Sequence, residues 1–372
     1  MKHIAVIFFV VIQIAGYAQF VDRFKPTQIT ATTNLGFVIA HHSNMIHLLQ
    51  RDAHGIELNF SQQDRKQTAW STLYRGAVRG LSFKFHDFGN PKELGYAYTM
   101  FGHTSFPLYQ GPKFGFLDFR IGTGLAYLTR KFDPETNPKN NAIGSYLNGF
   151  VNLMFNYNKH FRWWHFGFGL EFSHYSNCAT KVPNLGLNVP SLNVNLGFNL
   201  EQRTAIDKKE INENTEASNY DDVMSDGIYL IGFLTAKQNV IKQKEAITRP
   251  VMAIQGLYDL KMGSRWKLNV AMDIIYNDAN RHYYDTSTYT IGQTIQLGAF
   301  VGAGIHFYKA EFTAGMGVYY WSPVRPFGMF YHRLGFRYHF TNNLVGTIGI
   351  KSHFAIADYL ELGIGYRLWN RK

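Results

Sequence analysis

The chain has 372 residues, a formal net charge of +11, one cysteine, 34 glycines, 31 phenylalanines and 23 tyrosines. A lone Cys178 excludes a disulfide scaffold and any multi-cysteine zinc or iron–sulfur site, and beyond residue 18 no apolar run approaches the roughly 18 residues that a membrane-spanning helix needs. Charged residues make up only 17% and aromatic ones 16%, against roughly 25% charged in an ordinary soluble domain, which argues against a water-soluble α/β enzyme.

Met1, Lys2 and His3 form a basic start, residues 4–14 are apolar apart from Gln13, and Gly16-Tyr17-Ala18 supplies small residues before Gln19. This pattern predicts a secretory signal peptide over residues 1–18. After it, the dominant period is two. Candidate strands start near Asn34, Gly55, Gly80, Leu94, Phe114, Gly144, Trp163 and Ser191, and then near Gly227, Val251, Arg265, Ile295, Glu311, Phe330, Leu344 and Tyr359. Leu192, Val194, Leu196, Phe198 and Leu200 point one way, and Asn193, Asn195, Gly197 and Asn199 the other. Near the C-terminus, Leu360, Leu362, Ile364, Tyr366 and Leu368 alternate with Glu361, Gly363, Gly365 and Arg367.

A soluble sheet would also alternate, so length and the polar face decide. Many runs exceed the roughly 10 residues that a tilted strand needs to cross a bilayer, and their polar faces are rich in glycine, asparagine and charge, as a barrel lumen is. The expected fold is all-β, an antiparallel transmembrane β-barrel of 12–16 strands. Short connections at 159–162, 261–264, 309–310 and 341–343 mark a periplasmic side, and longer ones at 130–142, 237–249 and 278–292 mark the outer side. The long charged segment 202–226 breaks this rule. It is a loop or a linker, with eight strands before it and eight after, and one larger barrel over 19–372 is preferred to two tandem small ones.

The strand over 163–177 carries Trp164, Phe166, Phe168, Leu170 and Phe172 on its apolar face, and the same row continues to His174 and Ser176. Ten residues of strand from Trp164 to His174 rise about 33 Å, or about 25 Å along the membrane normal at a tilt near 40°. If Trp164 belongs to the periplasmic aromatic girdle, His174 and Ser176 lie at the outer lipid–water boundary. A histidine beside a serine is a minimal activated nucleophile. The alternative is a pair of interfacial polar residues that ends a strand.

The run from His174-Tyr175-Ser176-Asn177 through Asn184-Leu185-Gly186 resembles the His-x-Ser-Asn and following Asn-x-Gly of the PagL-type lipid A deacylases. Those are eight-stranded outer-membrane barrels that hydrolyse the ester-linked 3-hydroxyacyl chain at the 3-position of lipid A. The resemblance covers residues 34–201, with 227–372 as additional strands. It implies Ser176 as nucleophile, His174 as general base, Asn184 as an oxyanion donor helped by backbone N–H groups after Ser176, and Asn177 and Gly186 as residues of the motif and its turn. Where the family places the glutamate that orients the histidine, this chain has Asn188, which is carried over as the orienter. Replacing the acid of such a triad can cost about 10⁴ in rate, so reduced or altered activity is part of the expectation. Neither Glu171, on the other face of the strand, nor Glu201, at the far end of the next one, is an obvious substitute.

A second His-x-Ser-Asn at His41-His42-Ser43-Asn44, with His47 nearby, lacks the downstream Asn-x-Gly. It reads as strand-end polarity, with metal binding by the histidines as a remote alternative. Gly122-Thr123-Gly124 has no helix after it, so no phosphate loop is implied. The resulting expectation is a hydrolase in the outer membrane of a Gram-negative bacterium, with its site facing the outer leaflet, lipid A or lipopolysaccharide as substrate, and no cofactor. The excess of Lys and Arg suits lipid phosphates, and no nucleic-acid recognition module is present. The alternatives are a non-catalytic barrel, either a channel or a lipopolysaccharide-binding structural protein, and a phospholipid esterase.

Overall fold

The structure, a computed structural model, describes residues 24–63, 73–111, 114–203, 225–239, 247–284, 290–307, 309–354 and 356–371. The expected signal peptide at 1–18 and most of the charged segment 202–226 lie outside the described residues. Among the described residues, sixteen antiparallel strands form two closed barrels of eight. The first contains β1 (Gln28–Gly36), β2 (Ala53–Gln63), β3 (Val78–Asp87), β4 (Tyr96–Gly111), β5 (Gly115–Leu128), β6 (Leu147–His160), β7 (Trp164–Ser176) and β8 (Leu187–Asn199). The second contains β9 (Gly227–Asn239), β10 (Ile247–Lys261), β11 (Trp266–Asn277), β12 (Ile295–Phe307), β13 (Ala310–Trp321), β14 (Phe330–His339), β15 (Leu344–His353) and β16 (Ile356–Asn370).

The strand count agrees with the sixteen expected starts, but the preference for one barrel over 19–372 is overturned. β1 pairs along its second edge with β8, from Gln28↔Asn199 to Gly36↔Ser191, and β16 pairs with β9. A strand has two hydrogen-bonding edges, and these pairings occupy the edges that a sixteen-stranded sheet would need to cross from β8 to β9.

The alternation read in the sequence is the inside–outside alternation of each wall. In β8, Leu192, Val194, Leu196 and Phe198 are exposed while Asn193, Asn195 and Asn199 are buried. In β16, Ile364, Tyr366 and Leu368 are exposed against buried Glu361 and Arg367. Contiguous apolar belts of this kind suit lipid rather than water.

Eight strands enclose an interior just wide enough for side chains to fill, and charge fills both lumens. In the first barrel, Arg120 grips Glu57 through two contacts of 2.6 and 3.0 Å. Lys84 pairs with Glu171, which also accepts hydrogen bonds from Asn34, Asn152 and Ser173. In the second, Arg333 joins Asp273 at 2.6 Å to Glu361 at 2.8 Å, and Arg337 joins Asp259 at 2.7 Å to Glu311 at 3.1 Å.

Connections 37–52, 88–95, 129–146 and 177–186 all leave one end of the first barrel, whereas those from β2 to β3, β4 to β5 and β6 to β7 leave the other. At the long-loop end, Val38, Met45, Leu48, Phe88, Leu94 and Ile143 belong to a buried apolar cluster that also takes in Tyr175 and Leu187 at the ends of β7 and β8. This cluster anchors the loops over the barrel mouth, beside the last turn of strand on which His174 and Ser176 lie.

Candidate active site

β8 begins at Leu187, four residues before the expected Ser191. Within the added segment, Pro190 sits in register opposite Phe172. This longer strand has a direct consequence, because it places Asn188 opposite His174 on β7. Directly opposed residues in an antiparallel pair have Cβ atoms about 5 Å apart, close enough for a short amide to reach an imidazole. His174 Nδ1 and Asn188 Oδ1 are 2.6 Å apart.

That contact fixes the ring chemistry. An amide oxygen can only accept, so Nδ1 carries the proton and donates, and in the neutral ring Nε2 keeps its lone pair. Ser176 is two residues further along the same face of β7. On that face Trp164, Phe166, Phe168 and Leu170 are exposed, His174 is half-buried and Ser176 is only 5% exposed.

Gly186 brings the two side chains together. Its φ of +82° lies in the left-handed region that favours glycine. A Cβ added there would lie 3.1 Å from His174 Cε1, 3.2 Å from the Tyr175 carbonyl and 3.7 Å from Ser176 Cβ. The histidine ring and the serine therefore border the same small volume, and only a residue without a side chain leaves that volume open.

Asn184 is tied to the residue that follows Ser176. Its Oδ1 accepts the Asn177 backbone N–H at 2.9 Å, which leaves Nδ2 of the same amide as a donor. The expected helper donors, backbone N–H groups after Ser176, thus lose the Asn177 N–H to Asn184. Asn177 itself bonds Ser145 Oγ through Nδ2 at 3.0 Å, a loop-fixing contact. The 184–186 segment is pinned by a bridge between Asn184 and Ile143 and by Gly186 N–H donating to the Ala142 carbonyl at 3.0 Å. The loop it leans on is shaped by Asp133, whose Oδ1 accepts the N–H groups of Thr136 and Glu135 at 2.9 and 3.0 Å. These bonds hold the Asp133 carboxyl below the usual carboxylate range.

The motif residues His174, Ser176, Asn177, Asn184, Gly186 and Asn188 all meet at this end of the first barrel. Glu171 does not join them, because it is fixed inside the lumen by Lys84, and Glu201 lies beyond the far end of β8. One neighbour was missed in the sequence. His41 Nδ1 lies 3.3 Å from Asn188 Nδ2, and its Nε2 lies 2.9 Å from the Leu185 carbonyl. The only sequence signal was the early His-x-Ser-Asn, read as loop polarity. His47 instead reaches the Lys139 carbonyl at 2.7 Å, so the ring nitrogens of His41 and His47 diverge onto different segments rather than converging on an ion.

In the second barrel, His306, Glu311 and His339 bring ligand-type atoms within 4.8 Å of one another. Arg337 already sits on Glu311 and Asp259, and Lys267 lies 3.7 Å from Asp259. With cations in place on these carboxylates, the group is part of the ion-pair network of the lumen.

Two family models match the chain: "Lipid A 3-O-deacylase (PagL)" over residues 54–198, and "Acyloxyacyl hydrolase, C-terminal domain" over residues 227–371. Each falls on one of the two barrels. No curated protein matches the sequence. Among solved structures, the chain is similar to one described as the crystal structure of the outer membrane enzyme PagL, with 14% identity, a TM-score of 0.32, and coverage of 45% of this chain and 97% of that one. It is also similar to a triple mutant of the Rhodopseudomonas blastica porin, with 8% identity, a TM-score of 0.18, and coverage of 92% and 99%. Likenesses this slight carry no assignment, but the two family models together span well over half of the residues, and by them the chain belongs to the PagL-type lipid A 3-O-deacylase family.

Proposed function

We propose that the chain is an outer-membrane lipid hydrolase that removes the ester-linked 3-O-acyl chain of lipid A, with its site at the long-loop end of the first barrel facing the outer leaflet. The observation that carries this reading is the His174–Asn188 contact, which holds the imidazole in the tautomer a general base requires, two residues from Ser176. Membership of the family supplies the substrate class.

The steps follow from the groups present. His174 Nε2 takes the proton of Ser176 Oγ as that oxygen attacks the acyl carbonyl carbon. The carbonyl oxygen becomes an oxyanion, and Asn184 Nδ2, left free to donate by the Asn177 contact at Oδ1, is the donor assigned to it. The ester C–O bond then breaks, and His174 returns the proton to the departing sugar oxygen. Water repeats the sequence on the acyl-serine, which frees a 3-hydroxy fatty acid and restores Ser176. Each half of the cycle passes one proton through His174, first from Ser176 to the departing sugar oxygen and then from water back to Ser176, with no cofactor involved.

The ion pairs that fill both lumens count against a channel. A lipopolysaccharide-binding barrel without activity is favoured by one feature, the amide at Asn188 where the family has an acid. Incubating purified wild type and a Ser176→Ala variant, both folded, with lipid A and separately with diacyl phospholipid separates the possibilities. Ser176-dependent loss of one 3-hydroxyacyl mass from lipid A alone supports the proposal. Release from phospholipid alone makes the protein a phospholipid esterase, and no release by wild type removes the enzyme reading.

A further inference from the structure

We propose that His41 is a positioning residue that makes Asn188 work in place of an acid. The proposal rests on the reading of Ser176 and His174 given above and adds a residue that lies 147 positions from Asn188 in sequence.

A carboxylate offers oxygen to an imidazole whichever way it turns. An amide does not. Rotated by half a turn, Asn188 would present its NH₂ to His174 Nδ1, stabilise the proton on Nε2, and remove the lone pair that Ser176 needs. The wrong tautomer accounts for the rate loss of about 10⁴ seen when an asparagine replaces the acid of a serine triad. An asparagine at this position therefore needs something that fixes which end faces the histidine.

The structure holds such a device. The Leu185 carbonyl, 2.9 Å from His41 Nε2, can only accept, so Nε2 carries the His41 proton. His41 Nδ1 then keeps its lone pair and accepts from Asn188 Nδ2 at 3.3 Å. With Nδ2 committed to His41, Asn188 Oδ1 faces His174 and accepts its Nδ1–H at 2.6 Å. Each proton position sets the next, from a backbone carbonyl to the lone pair beside Ser176. A second carbonyl, that of Ile39, lies 3.3 Å from His41 Nδ1. A neutral ring has one N–H, and the shorter contact at Nε2 takes it.

The backbone places His41 for this task. Beyond β1 the chain continues along β8, with Phe37 N–H donating to the Pro190 carbonyl at 3.3 Å and Ile39 N–H to the Asn188 carbonyl at 2.8 Å. His41 is thus two residues past a segment already bonded to Asn188. Val38 is buried in the apolar cluster at this end, with Leu185 packed against it, so both the ring and the carbonyl that sets its tautomer are held by the core.

The test is a cycle of four full-length proteins, namely wild type, His41→Ala, Asn188→Glu and the double variant, each confirmed folded by heat-modifiable gel mobility. Lipid A turnover gives kcat and KM, and ¹⁵N shifts of the His174 ring give its tautomer. His41→Ala is expected to lower kcat by about 10²-fold or more with KM little changed, and to shift His174 away from the Nδ1–H form. In the Asn188→Glu background, where the side chain has no wrong end, His41→Ala is expected to change kcat less than about threefold. His41→Gln, which keeps an acceptor for Asn188, is expected to recover part of the loss. Equal losses in both backgrounds, or an unchanged His174 tautomer in His41→Ala, would overturn the proposal. If wild type itself shows no Ser176-dependent turnover, the hydrolase reading fails, and the ring shifts still decide whether His41 sets the His174 tautomer.

Discussion

At the scale of single residues, the site depends on a few atoms whose roles differ in kind. Asn184 is already bonded to the backbone N–H of Asn177, so its NH₂ is held in place before any substrate arrives. Loss of one such donor costs about 10²–10³ in kcat, and Asn184→Ala is expected to show that loss in an acyl-release assay with KM little changed. Gly186→Ala should be nearly as damaging for a different reason. A methyl group 3.1 Å from His174 Cε1, at a backbone angle that disfavours any side chain, pushes the ring away from Ser176. A pronounced fall in kcat without loss of the folded barrel is the result to look for. His174 and Ser176 were legible from the period of their strand, and Asn184, Gly186 and Asn188 only through the family resemblance. His41 was not, because its partner is 147 residues away and no local period reports a contact of that range.

Among the elements, β7 and β8 make the site, and the wall they belong to serves two solvents. Outward residues such as Val194, near the middle of β8, meet lipid. Placing Arg at the bilayer midplane of such a wall costs about 2–4 kcal/mol, so Val194→Arg is expected to lower the stability of the refolded barrel in denaturant titrations by about that amount. A smaller effect would place Val194 away from lipid. Inside, Glu171 neutralises a fully buried Lys84. Glu171→Ala leaves that cation and two asparagine amides without their acceptor, a loss of about 3–5 kcal/mol by the same measurement. The strands themselves were legible because alternation is local. The start of β8 was not, since the alternation from Ser191 onward carries no sign that Pro190 pairs with Phe172. The four added residues include Asn188, and they give it the register opposite His174.

For the whole molecule, the number of barrels was the feature the sequence left open. Period-two alternation looks the same in a wall of eight strands and in one of sixteen. What decides is whether β1 finds β8, a pairing between residues such as Gln28 and Asn199 that only the folded chain reveals. Since every strand of the first barrel has both neighbours within residues 24–203, a fragment of that span is expected to refold in detergent with heat-modifiable gel mobility. A fragment that folds only with residues 225–371 present would mean that the closure of β1 on β8 is insufficient by itself. The low charge and high aromatic content of the sequence take their meaning at this scale too, as two lipid-facing coats around two polar lumens.

If Ser176 removes an acyl chain from lipid A at the outer face of the membrane, the lipid A of the host records it. The most direct measurement is the mass spectrum of lipid A extracted from a Gram-negative host that exports either the wild-type chain or the Ser176→Ala variant to equal levels in the outer membrane. Wild type is expected to remove the mass of one 3-hydroxyacyl chain from a substantial share of the lipid A, and the variant to leave it intact. Identical spectra from the two strains would contradict it.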